Sequence, residues 1–329
     1  MWLIDTNKLQ PVEVQGDPRQ SYAILSHTWG NDEVTFQSFK ALSSASDVAK
    51  SPVVAEAVEN IRMKSGFRKI QDAANLAMSH GYGYLWIDTC CIDKTSSAEL
   101  SESINSMYRW YQNAAVCYAY LSDVEPVESD DPFSETSSFR RSRWFTRGWT
   151  LQELIAPKVV KFYARDWSYI GEKRSGNAFC QFLAKITGIN NQILAGTASL
   201  SDISVANRMR WAALRETTRP EDIAYCMMGL FNVNMPLLYG EGDRSFIRLQ
   251  EEILKETDDQ SLFLWGMPPD VSPSSDDLFG LLAESPKLFS QVEIGHVRPL
   301  PPSESHESSP ASVTNQGLRT NMLLVPVME

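Results

Sequence analysis

Tyr22-Ala23-Ile24-Leu25-Ser26 is a short apolar run bounded by Pro18 before it and Gly30 after it, and it reads as a buried strand. Three more runs of the same kind follow: Tyr84-Leu85-Trp86-Ile87-Asp88, Val116 to Leu121, and Val159-Val160-Lys161-Phe162-Tyr163. Helical spacing separates them. Ile70, Ala73, Ala74, Ala77 and Met78 recur at i, i+3, i+4, i+7 and i+8, and Gly81 supplies a C-terminal stop. Ser96 and Glu99 have the spacing of a capping box, opening a helix to about Asn113. Thr150 and Glu153 repeat that spacing, in a short helix ended by Pro157. Strands alternating with helices predict an α/β fold with a parallel sheet flanked by helices. Ligands of such sheets sit at the carboxyl ends of the strands, here Ser26 to Gly30, Asp88 onward and the loop leading to Glu153.

The remaining segments are less regular. The polar stretch around Ser43, Ser44, Ser46 and Ser51-Pro52 reads as loop and short helix. From about residue 170 helices take over, at Asn177 to Thr187, Val205 to Arg215, Glu221 to Gly229 and Arg244 to Glu256. Pro268 to Ser275 and Pro299 to Ser312 read as flexible loops, and Met322 to Val327 as a strand. The expected divisions are therefore 1–170 for the sheet core, 171–265 for a helical extension and 266–329 for a small β-containing part.

With 329 residues, 43% of them hydrophobic, the chain can bury a large core. The 41 acidic against 30 basic residues give a net charge of -11, a poor match to a nucleic-acid backbone. Five cysteines form no regular disulfide framework and suggest a reducing compartment. The start Met1-Trp2-Leu3-Ile4-Asp5 has no basic leader, and no run of about 18 apolar residues exists, so a cytoplasmic protein without a membrane span is expected.

Several chemistries can be weighed from the residues. The four histidines, His27, His80, His296 and His306, have no partner at metal-ligand spacing, and the adjacent Cys90 and Cys91 do not form a zinc knuckle. Either cysteine, with His27 as base, would make a nucleophile; both also fit as small buried side chains. Gly240-Glu241-Gly242 precedes a helix and fits an anion loop or, more simply, a turn. Glu153 is either half of a reciprocal helix cap with Thr150 or a carboxylate presented at the sheet edge. Trp29, Trp86, Trp144 and Trp149 crowd the strand-end segments, where an indole packs in the core or stacks on a flat heterocycle. Arg143 and Arg147 suit a pyrophosphate or a solvated surface.

Three blocks carry a resemblance. Tyr22 to Gly30 (YAILSHTWG), Tyr84 to Asp93 (YLWIDTCCID) and Arg147 to Leu154 (RGWTLQEL) look like the signature blocks of the fungal heterokaryon incompatibility (HET) domain. Asp222 to Tyr225 and Leu238 to Gly242 resemble its downstream helical extension, so the likeness spans about residues 20 to 265. Lys94, where the family usually has Gln, and Cys90, where it has Leu, are departures. The resemblance implies a role in cell death after fusion of unlike cells. The element order, and Trp149 to Leu154 in particular, is more distantly similar to the TIR domain, which implies a TIR-like (flavodoxin-like) fold. NAD-cleaving TIR domains use the Glu of that segment as the catalytic residue, which lands on Glu153. The implied substrate is NAD or a related nucleotide, with no further cofactor, and the implied active form is a homo-oligomer. Ser26, His27, Trp29, Gly30, Asp88, Arg147 and Trp149 are the expected substrate contacts. A non-enzymatic module assembling through its TIR-like face is the other reading.

Overall fold

The computed structural model describes residues 1–16, 18, 20–48, 52–174, 178–266, 280–291, 312–314 and 317–319. The expectations for 268–275, 299–311, Met322 to Val327, His296 and His306 lie outside the described residues. The chain divides into two compact units, Met1–Ala198 and Ser199–Glu329.

The first unit opens with β1 (Trp2–Asp5), β2 (Gln10–Glu13) and β3 (Ala23–His27). Three helices follow, α1 (Phe36–Val48), α2 (Pro52–Arg62) and α3 (Ser65–Ser79). Next come β4 (Tyr84–Trp86), the single turn α4 (Asp88–Cys91), α5 (Ser97–Asn113) and β5 (Val116–Tyr120). The unit ends with α6 (Thr150–Ile155), β6 (Val160–Tyr163), β7 (Tyr169–Lys173), α7 (Phe179–Thr187) and α8 (Asn191–Leu194).

These strands form a seven-stranded sheet in the order β2-β1-β4-β3-β5-β6-β7. The four strands legible as buried apolar runs, β4-β3-β5-β6, pair in parallel. The sheet as a whole is mixed, which corrects the all-parallel expectation: β1 runs antiparallel to β4, β2 to β1, and β7 to β6. For two of these pairs the reason is connection length. Short turns join β1 to β2 and β6 to β7, and a turn of that length allows only an antiparallel return. The winding reverses at β3, so the C-terminal ends of β3 and β5 border the crevice where such sheets hold ligands.

Strand pairing assigns the faces. Ile24 pairs with Trp86 and Cys117, and Ser26 with Ala119, so these side chains share one face. Trp110 and Tyr111 of α5 pack edge-on against Trp86 there, and Trp144 and Phe139 against Phe162. Leu25 and His27 point to the opposite face, where His80, just past α3, meets the Tyr118 hydroxyl at 2.8 Å. α3 stops as its sequence predicts: Gly81 takes φ +83°, a conformation cheap only for glycine, and Tyr82 N–H returns to the Ala77 carbonyl. Ser43, Ser44 and Ser46 fall within α1 and Pro52 opens α2, longer helices than the sequence suggested, while Ser51 lies outside the described residues.

The second unit contains α9 (Val205–Arg210), α10 (Asp222–Tyr225), α11 (Met228–Phe231), α12 (Arg244–Glu256) and a hairpin of β8 (Ser312–Thr314) and β9 (Gly317–Arg319). α12 has the predicted bounds and buries Phe246, Leu249, Ile253 and Leu254, one stripe of a 3.6-residue period. The expected helix over 221–229 is broken into α10 and α11. The two downstream motifs interlock. The Tyr225 hydroxyl donates to Glu241 (3.0 Å), the Tyr239 hydroxyl to Asp222 (3.0 Å), and Arg248 pairs with Glu241. Gly240 and Gly242, at φ +105° and +61°, turn their N–H groups onto the Glu221 carboxylate at 2.7 and 3.1 Å. Burial pushes that carboxyl up, but these two N–H groups hold it below its usual range. The glycine turn thus holds an internal anion.

Candidate functional site

Glu153 and Ser26 meet. Ser26, fully buried at the end of the central strand β3, donates its hydroxyl proton to Glu153 Oε2 on α6 and accepts from the Trp144 indole N–H at 2.8 Å. The helix-cap alternative for Glu153 does not describe this geometry. α6 starts from Trp149 without a side-chain cap, and the Thr150 hydroxyl donates to the Trp144 and Arg147 carbonyls. The carboxylate therefore reaches across to β3 from one turn of helix. Tyr111 of α5 approaches the same carboxylate: burial pushes its phenol well up, and Glu153 adds to that push. Glu153 itself is 6% exposed. Two surface grooves, one walled by Arg62, Lys64 and Arg68 and the other by Phe133, Arg140 and Phe182, include neither Glu153 nor Ser26.

The α6 anchor comes from an unexpected residue. Lys173 of β7 is 2% exposed and donates to the carbonyls of Leu154 (2.7 Å), Ile155 (3.1 Å) and Pro157 (2.5 Å). Burial pushes its ammonium down to about 8, so it stays charged at neutral pH, with three N–H donors for three acceptors.

A second cluster lies past the end of β3 and the start of α4. The Trp29 indole N–H donates to Asp88 Oδ2 at 2.7 Å, and the Lys94 ammonium sits 3.7 Å from the Trp29 ring centroid. Gly30 N–H donates to Glu33 at 2.8 Å, and Lys69 pairs with the same Glu33 oxygen. Arg143 donates to the Thr28 hydroxyl (3.1 Å) and the Trp29 carbonyl (3.3 Å). Burial pushes the Asp88 carboxyl up, against the pull of Lys94, the indole N–H and Lys69. His27 stands between two carboxylates, 3.7 Å from Glu33 and 3.9 Å from Asp88, too far for hydrogen bonds. Neither ring nitrogen has a hydrogen-bond partner among the described residues.

Of the expected contacts, Ser26 and Glu153 come together on one sheet face. His27, Trp29, Gly30 and Asp88 gather in the rim cluster, and the period-2 alternation of β3 turns His27 away from Ser26. Arg147 and Trp149 are half-buried at the entry to α6. Glu33, Lys69 and Lys173 were not singled out from sequence; Arg143, weighed there only as one of two arginines, is the guanidinium bound to the rim. Cys90 and Cys91 are buried, and burial pushes the Cys90 thiol well up, which disfavours a thiolate nucleophile. Among the described residues, no group of three or more His, Cys, Asp or Glu side chains could hold a metal ion, and no helix is long and apolar enough to cross a membrane.

Two consequences are measurable. Ser26→Ala leaves the Trp144 indole N–H without this acceptor and Glu153 without this donor. A loss of about 1–3 kcal/mol is expected in chemical denaturation. His27 is held well below its usual 6.5, first by burial and then by Lys69 and Lys94. Below pH 6.5 the unfolded chain takes up a proton that the folded chain refuses. Stability therefore falls on acidification from about pH 6.5, by at most about 1.4 kcal/mol per pH unit from this group. In His27→Gln the unfolding free energy should vary less between pH 5 and 7 than in the parent; equal slopes would remove His27 as the cause.

Residues 22–138 match the family of the heterokaryon incompatibility protein (HET), and residues 244–329 match a domain of unknown function (DUF8212). The chain is similar to the vegetative incompatibility protein HET-E-1 of Podospora anserina, 46% identical over 239 residues. That stretch is 71% of this chain and 16% of the relative, so the chain spans under a fifth of the relative's length. No solved structure matches the chain. Glu153, Arg147 and Trp149 lie beyond the end of the HET match, whereas Ser26 to Gly30 and Asp88 lie inside it.

Proposed function

The chain carries a heterokaryon incompatibility (HET) domain, and from that premise we propose that it acts in heterokaryon incompatibility as a cell-death effector that cleaves NAD at the nicotinamide–ribose bond. One observation carries the reading: the Ser26–Glu153 hydrogen bond, which puts a carboxylate at the C-terminal end of the central parallel strand. The chemistry needs little else. The leaving nicotinamide is already cationic in NAD, so its departure requires no general acid. As neutral nicotinamide leaves with the bonding pair, the ribose develops oxocarbenium character, which a nearby carboxylate stabilises while hydrogen-bonding the ribose hydroxyls, and water bonds to the ribose carbon and gives up a proton. Trp29 offers a half-exposed indole for the ring, and Arg143 a guanidinium beside it for a phosphate.

Glu153 and Ser26 are buried, so the resting chain is closed around its carboxylate. We read self-association as the event that opens it, with Trp144 and the segment around it as the part that yields. The test is nicotinamide release from NAD by the purified chain across protein concentration. Specific activity should rise with concentration; a value independent of concentration contradicts the requirement for assembly. The burial of Ser26 and Glu153 also favours a second reading, a non-enzymatic module acting by homotypic assembly. NAD left intact by a forced oligomer would select it.

A further inference from the structure

Glu33 fills an anion cradle with one of its two oxygens. Its Oε1 takes the Gly30 N–H at 2.8 Å and the Lys69 ammonium at 2.5 Å, and lies 3.7 Å from His27 Nε2. The fit is incomplete on both sides. Glu33 Oε2 and His27 Nε2 are both buried, and neither has a hydrogen-bond partner among the described residues. His27 is neutral at neutral pH, so its Nε2 can carry a proton that no acceptor takes. The cradle is held in place. Arg143 donates to the Trp29 carbonyl at 3.3 Å, and the N–H of that same planar peptide belongs to Gly30, so it is turned the opposite way, onto Glu33. The backbone of Asp32 to Val34 lies so close to Gly66 that a Cβ there would stand 2.6 Å from the Asp32 carbonyl oxygen and 2.9 Å from Glu33 Cα. Lys64 donates to the Glu33 carbonyl at 3.4 Å. Only the Glu33 side chain is free to leave, and Gly30 is exposed.

We infer that the Gly30 N–H, Lys69 and His27 Nε2 form a phosphate subsite whose place is held by the Glu33 carboxylate. The inference rests on the NAD reading above for its ligand and gives one phosphate of the dinucleotide three donors, on the side of the Trp29–Gly30 peptide away from Arg143. The exchange is uneven. A phosphate regains the Gly30 and Lys69 contacts that Glu33 gives up, and its further oxygens bring His27 the acceptor that the carboxylate does not. The displaced carboxylate takes its unpartnered Oε2 out to water, ending the cost of burying it.

The probe is ADP-ribose, which carries the pyrophosphate but no nicotinamide bond to cleave. It is titrated into the whole chain by calorimetry and followed at the Gly30 amide and His27 ring-nitrogen resonances. Both resonances should shift on binding to the parent. Glu33→Gln, which keeps the shape but not the charge, should bind about tenfold more tightly, the difference between a charged and a neutral acceptor competing for the same donors. Lys69→Met made in the Glu33→Gln chain should cancel that gain. Asp32→Asn, one residue away and half-exposed, should change binding less than twofold. Binding that moves neither resonance, no binding at all, or unchanged or weaker binding in Glu33→Gln overturns the proposal. So does a gain that survives Lys69→Met or is equalled by Asp32→Asn, which would be an effect of net charge. NAD cleavage is scored separately. A chain that cleaves NAD but shows no gain in Glu33→Gln loses the subsite alone, and one that shows the gain but leaves NAD intact loses the cleavage alone.

Discussion

Lys173→Met should lower the unfolding free energy by roughly 2–4 kcal/mol, far more than a lysine usually contributes to stability. The ammonium is buried and its three N–H groups match the carbonyls of Leu154, Ile155 and Pro157 at the end of α6. A methionine fills the space but donates nothing, leaving buried acceptors that each cost about 1–3 kcal/mol when unpaired. Part of that loss is offset, because burying the ammonium is itself costly, and the same burial pushes it down to about 8. α6 is only six residues long and is not closed by a side-chain cap at its start, so it depends on contacts from outside. Urea denaturation monitored at the tryptophans checks the prediction. A change below about 0.5 kcal/mol, the usual value for a surface site, would mean that Lys173 does not hold the helix.

Glu153→Gln should reduce NAD cleavage at least about 100-fold, the range seen when one group aimed at developing transition-state charge is removed. The amide keeps the shape of the side chain and an oxygen that can accept from Ser26, so the fold survives. It loses the negative charge that would face the ribose cation. Stability should change by no more than about 1 kcal/mol, which separates lost chemistry from lost structure. Retained cleavage in this variant would place the reacting carboxylate elsewhere, with Asp88 of the rim cluster the next to test.

Much of the first unit was legible because its central strands are covered on both faces. β3 is buried at all five positions and therefore reads as an unbroken apolar run. The flanking strands hide for the opposite reason. β2 is edge-located, mostly half-buried and contains Pro11, and β7 mixes Tyr169, Gly171 and Glu172 with buried positions. Lys173 was invisible for a related cause: a lysine reads as a solvated residue, and only the three carbonyls facing it make burial tolerable. At the candidate site, strand-end logic pointed separately to Ser26, Trp29, Asp88 and the loop leading to Glu153. It could not say that Ser26 bonds to Glu153, because the two are 127 residues apart and their pairing depends on how α6 packs on the sheet. The Thr150–Glu153 spacing even suggested a local partner. α6 instead starts one residue earlier, from Trp149, so Thr150 stands inside the helix and the Glu153 N–H points to the Trp149 carbonyl. The alternation of β3, which sends His27 to the face opposite Ser26, was available from the sequence once the strand was assigned.

The most direct test is a structure of the Glu153→Gln chain in complex with NAD, a variant slow enough to hold its substrate. The account predicts the nicotinamide ribose within hydrogen-bond distance of the side chain at position 153, the Ser26 contact opened and the nicotinamide ring against Trp29. Trp144 still sealing that position, with NAD bound elsewhere, would contradict it.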